Sequence, residues 1–160
     1  MLNSKNQGDT RRWIYATVLL MAVGLVGALP VAAEEESGVA GSVRTLDGSA
    51  IIVRQGQEVS VALGDRLFSE DVVRTGADGS IGIVLRDDTL VSLGPASELE
   101  MTEFDFRPDE SAFSLVINLV KGTFVYVSGR IGKIAPGAVK VETPVGIVAV
   151  RGTRFLVKVI

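Results

Sequence analysis

The chain has 160 residues, neither Cys nor His, and a formal net charge of −3. Without Cys there are no disulfides, thiolate nucleophiles or Cys-based zinc sites; without His the commonest metal ligand and the commonest general base are missing. A mildly acidic chain also lacks the basic surface that tracks a phosphate backbone, so nucleic acid is not expected as a partner, and nothing points to a cofactor.

The N-terminus reads as an export signal. Lys5, Arg11 and Arg12 form a basic head, and Trp13 to Leu29 is an apolar run free of charge. Pro30-Val31-Ala32-Ala33 then supplies a helix break and small residues before Glu34-Glu35-Glu36, and Val31 with Ala33 fits cleavage after Ala33. The alternative is a retained anchor, because Trp13 to Ala33 is just long enough to cross a bilayer as a helix. Arg11-Arg12 is a weak match to a twin-arginine signal. Either way the remainder is expected outside the cytoplasm, periplasmic or anchored in the inner membrane and facing the periplasm. The expected organisation is a signal at 1–33, an acidic leader at 34–37 and a β domain at 38–160. Removing the signal takes Lys5, Arg11, Arg12 and Asp9, leaving 13 basic (16−3) and 18 acidic (19−1) residues among 127 (160−33). A chain of that size can build one core without staples.

From Gly38 the pattern is strands and turns. Val39 to Leu46 ends at Asp47-Gly48, a hairpin signal because both residues tolerate positive φ. Ala50 to Arg54 turns at Gln55-Gly56 into Val59 to Leu63, which alternates. Leu67-Phe68 and Val72-Val73 are expected in the core. Ser80 to Leu85 and Thr89 to Leu93 form the clearest hairpin, with Ile81, Ile83 and Leu85 on one face and Asp88 asked to take a left-handed conformation. Glu98 to Phe104 alternates acid and apolar residues, which predicts a half-buried strand with an acidic outer face. Phe113 to Val120 and Thr123 to Val127 read as two strands separated by Lys121-Gly122.

The last stretch, Val139 to Ile160, holds three β-type runs split at Thr143-Pro144 and Arg151-Gly152-Thr153, and the rest is expected to be built around it. Ile147 to Val150 is continuously apolar, which suggests burial on both faces. In the final run Phe155, Val157 and Val159 share one face and Arg154, Leu156 and Lys158 the other. Turn signals recur every eight to twelve residues without sustained helical periodicity. The fold class is therefore all-β: an antiparallel sandwich, a roll or a short β-solenoid of hairpins. Asp47-Gly-Ser-Ala-Ile-Ile-Val and Asp78-Gly-Ser-Ile-Gly-Ile-Val look alike, too few copies for a repeat protein.

No residue is singled out as catalytic, metal-binding or cofactor-binding. Asp65, Asp71, Asp78, Asp87 and Asp88 could gather around Ca²⁺, but Asp is simply a good turn residue and no run matches an EF-hand loop. Glu98, Glu100 and Glu103 could supply paired carboxylates for glycoside hydrolysis. On an alternating strand Glu98 and Glu100 share a solvated face, and Glu103 points the other way. Arg151 and Arg154 are the candidates for binding an anion or a partner carboxylate. The competing reading makes Gly152 a bulge and pairs Arg151 with a turn residue such as Asp65 or Asp71.

Several segments match a known pattern in order: Leu63-Gly-Asp65, Asp71-Val-Val-Arg-Thr-Gly76, Asp78-Gly-Ser80, Leu119-Val-Lys-Gly-Thr-Phe124, Val127-Ser-Gly129, Thr143-Pro144 and Val150-Arg-Gly-Thr153. Together they resemble the FecR protein domain, the periplasmic module of ferric-citrate-type sensors, over Gly38 to Ile160. Asp88 departs from the Gly usual at that turn. The resemblance implies a non-enzymatic sensory, scaffolding or protein-interaction module with an envelope protein as partner. Full-length regulators of this kind add a cytoplasmic anti-sigma segment, and the twelve residues before the apolar run are too short to fold as one. An anchored component of signalling to a sigma factor is the alternative, with a membrane contact only if residues 13–33 stay uncleaved. A hydrolase using Glu98 or Glu103 is the contrasting third.

Overall fold

The computed structural model describes residues 38–150 and 154–160. The predicted signal, the acidic leader and Arg151 lie outside the described residues. Twelve strands occur among those described: β1 (Val39–Asp47), β2 (Ala50–Arg54), β3 (Gln57–Ser60), β4 (Arg66–Phe68), β5 (Val72–Thr75), β6 (Ser80–Leu85), β7 (Leu90–Leu93), β8 (Glu98–Arg107), β9 (Ala112–Val127), β10 (Val139–Thr143), β11 (Gly146–Ala149) and β12 (Arg154–Val159). One helical turn, α1 (Arg130–Ile134), stands between β9 and β10. The all-β expectation holds. Hairpins account for only part of the pairing.

The strands make one curled sheet with two arms that share β9. Arm I runs β4-β1-β6-β7-β9-β12 and arm II runs β3-β2-β5-β8-β9-β10-β11. Residues of β9 before Gly122 pair with β8 and β10, and those from Gly122 onward with β7 and β12. Lys121-Gly122, expected to separate two strands, is therefore a bend inside one of sixteen residues. The organising strand is β9 and not the C-terminal stretch.

Asp47-Gly48 does not close a hairpin either: β1 pairs with β4 and β6, while β2 pairs with β3 and β5. It carries the chain from arm I to arm II. Beside it, Gly76–Gly79 carries β5 into β6, Gly94–Ser97 carries β7 into β8, and Gly122 bends β9, so four crossings lie in a row. Hydrogen bonds stitch them together. Gly76 N donates to Ser49 O (2.8 Å) and Ala96 N to Gly76 O (2.8 Å). Thr75 Oγ1 donates to Gly94 O (2.7 Å) and accepts from Ser97 N (2.9 Å), and Ser97 Oγ accepts from Thr123 N (2.9 Å). The two similar Asp-Gly-Ser segments are neighbours in this row, with Ser49 Oγ donating to Asp78 (2.9 Å).

Inside the curl, alternate residues from both arms make the core. Ile81, Ile83 and Leu85 of β6 and Leu115, Ile117 and Leu119 of β9 are all buried and belong to one apolar cluster. The β6–β7 hairpin and the left-handed Asp88 (φ 66°) are as expected. Two further expectations fail for local reasons. Ile147 is 66% exposed, because β11 pairs only with β10 and sits at an edge. The pairing of β10 with β9 is parallel, since α1 and the turn at Pro136–Ala138 return the chain to the start of β9's first arm.

Gly122 separates two sources of strain. Its φ is +91°, and a Cβ there would fall 2.5 Å from Ser97 Cα. Gly56, at φ +79°, has nothing within 4 Å of that position. Gly56→Ala carries only the left-handed penalty of about 1 kcal/mol, whereas Gly122→Ala adds a backbone collision and should cost about 2–4 kcal/mol. Urea denaturation of the two variants checks the ordering.

Candidate functional site

Arg154 opens β12, opposite Val127 of β9, and is exposed. The period-two pattern holds, so Leu156 and Lys158 join it on the outward face, with Leu156 63% exposed. Among the described residues β12 pairs with β9 alone, which leaves its second row of backbone donors and acceptors open. Neither Arg154 nor Lys158 has an ion pair or side-chain hydrogen bond among the described residues. The edge therefore presents two cations four residues apart with an apolar side chain between them. The alternation that places Arg154 outward places Leu156 and Lys158 there too, so their exposure is legible in the sequence.

The inner face anchors this edge. The Phe155 ring stacks on Tyr126 at 4.9 Å with 26° between planes, and lies 6.0 Å from the Phe124 ring. Tyr126 is fully buried. Its hydroxyl lies near Ser128 and Thr89 without a hydrogen bond of standard geometry, and burial raises its pKa above the ordinary phenol value.

The glutamates of β8 do not assemble a paired-acid site. Glu98 lies between Arg74 (3.2 Å) and Lys121 (3.8 Å), and Asn118 Nδ2 donates to Glu100 (3.4 Å). A bulge between Glu100 and Glu103 inserts one extra residue, so Glu103 is turned to solvent instead of pointing the opposite way to its neighbours. On the outer face of arm II, Arg74 and Lys121 thus flank Glu98, while Glu103 stands exposed.

Each turn aspartate serves its own neighbourhood. Asp65 accepts from Ala62 N (2.7 Å). Asp71 is buried and accepts from Arg54 Nε (2.9 Å), Arg54 Nη2 (2.7 Å) and Phe68 N (2.8 Å). The cation paired with Asp71 among the described residues is Arg54, whose guanidinium also lies 4.4 Å over the Phe68 ring; Arg151 lies outside them. That hydrogen bond with Asp71 raises the Arg54 pKa. Asp87 is buried and receives Thr89 N (3.1 Å), Thr89 Oγ1 (2.7 Å) and Ile131 N (3.1 Å), which fixes α1 to the β6–β7 turn. Nothing local in the sequence announces these pairings across 17 and 44 positions. Among the described residues no group of three or more acidic side chains is arranged to hold a metal ion, and no helix is long and apolar enough to cross a membrane.

A family model described as "FecR protein" matches residues 71–159, more than half of the chain. A solved structure, "Cell surface anchoring domain", is similar at 38% identity over 39% of this chain and 83% of that one, with a TM-score of 0.38. No curated protein matches the chain.

The ring cluster makes two measurable statements. Phe155→Ala should lower stability by about 2–3 kcal/mol and expose β12 amides to hydrogen exchange. Tyr126→Phe should change stability by less than about 1 kcal/mol at neutral pH. Because the folded phenol has the higher pKa, its contribution is whole below about pH 10 and is lost as pH rises through the folded value. Tyr126→Phe should therefore flatten the alkaline fall in stability in urea titrations.

Proposed function

Because the chain belongs to the FecR protein family, we propose that it works as an exported, non-enzymatic interaction module of the cell envelope. In this reading residues 1–33 direct export, and residues 38–160 form the working domain on the periplasmic side. The family and the export-type N-terminus support the location. The single observation that carries the mechanism is the open edge of β12. An extended segment of an envelope protein can add a strand there, its main chain satisfying the free donors and acceptors. Arg154 and Lys158 then select acids at two positions spaced by four, and Leu156 selects an apolar residue between them.

The same cations guard the edge against a second copy. Antiparallel pairing of two β12 strands centred on Leu156 would set Arg154 opposite Lys158, which is repulsive. A partner carrying the opposite sign removes that penalty.

A peptide with the alternation acid-x-apolar-x-acid, titrated against isotope-labelled protein, should shift β12 amides and protect them from exchange. Arg154→Glu with Lys158→Glu should weaken binding at least tenfold, and a lysine-for-acid peptide should bind the charge-reversed protein better. Equal binding by both proteins, or shifts that bypass β12, would sink the reading. N-terminal sequencing of the protein isolated from the envelope should begin at Glu34.

A further inference from the structure

We propose that a depression at the opposite end of arm I binds a phosphate group. A single cross-strand row links the two ends: Arg66, Ser42, Val84, Leu90, Val127, Arg154. Five strand spacings, about 24 Å measured along the sheet, lie between its ends, and the depression shares no lining residue with the β12 edge. Its volume is about 390 Å³, and Arg44, Arg66, Arg86 and Asp88 line it together with Gly41 and Ser42.

The backbone builds this cluster from three separate places. Arg44 is the extra residue of a bulge, because Val43 pairs with Ile83 and Thr45 with Gly82. The bulge is pinned from outside, with Val43 N donating to Asp65 O (2.9 Å) and Gly64 N to Val43 O (2.9 Å). Bulges re-aim side chains, and this one delivers a guanidinium. Arg86 follows the last residue of β6, and its backbone N donates to Ala40 O (2.9 Å). Arg66 opens β4 opposite Ser42. Between them Gly41 keeps the floor as bare backbone; a Cβ there would fall 2.9 Å from Leu85 Cα.

Charge decides the ligand class. Arg44 and Arg86 bring two guanidiniums into the depression beside the single carboxylate of Asp88, in a chain whose net charge is −3. Neither Arg44 nor Arg86 has an ion pair or side-chain hydrogen bond among the described residues, and Asp88 forms no such pair with them. Guanidinium forks match the oxygens of phosphate in pairs, so two uncommitted guanidiniums lining one depression suit a phosphate group better than a single carboxylate.

Purified protein should show a saturable rise in melting temperature with inorganic phosphate, larger than with chloride at equal ionic strength. Arg44→Gln with Arg86→Gln should weaken that response at least tenfold, while Lys121→Gln on the other arm leaves it intact. Arg44→Lys with Arg86→Lys should restore part of it, which separates charge from folding defects. Flotation with phosphatidylglycerol vesicles, against phosphatidylcholine alone, distinguishes a lipid headgroup from a soluble phosphate. A response in either arm that depends on Arg44 and Arg86 supports the site. No response in both arms, or one unchanged by the double substitution, overturns it. Peptide binding at β12 should survive the double substitution, so the two sites fail separately.

Discussion

Four strand crossings must lie side by side for this sheet to curl over its own core, and the hydrogen bonds of Thr75 and Ser97 make that possible. At a fold in a sheet the regular ladder is interrupted, and buried backbone groups left there need other partners. Thr75 Oγ1 accepts from Ser97 N and donates to Gly94 O, while Ser97 Oγ takes the amide of Thr123. The glycines on either side let the crossing backbones come close enough for those bonds to form. Both hydroxyl residues are buried.

The curl sorts the chain's chemistry by face. Most alternate apolar residues turn inward, with Leu156 of β12 and Leu90 of β7 among the exceptions, and the two outer faces diverge. Arm II pairs Glu58 and Glu98 with Arg74 and Lys121. Arm I carries Arg154 and Lys158 at one end and Arg44 and Arg86 at the other, without partners among the described residues. Since β9 belongs to both arms, its bend at Gly122 determines which side chains face outward on each.

Where the fold departs from what local sequence predicts, the local signal holds but its long-range partner is not encoded nearby. Asp47-Gly48 does turn the chain, yet the strands it joins enter different arms. Lys121-Gly122 does break the geometry, yet the strand continues through it. Ile147 is apolar but lies at an edge, and Glu103 follows a bulge that no alternation rule foresees. At the candidate edge, the outward position of Arg154 was legible from period two; that the strand beyond it is open was not.

The order of residues by itself determined the strands, most of the turns, the alternation of β6, β8 and β12, and the export-type N-terminus, because each depends on neighbours within a few positions. Which strands pair was decided only in three dimensions, as were the salt bridge of Arg54 with Asp71, the capping of α1 by Asp87 and the gathering of Arg44, Arg66 and Arg86. Those contacts join residues far apart in the chain. They exist only once four bends have stacked and the sheet has closed on its core.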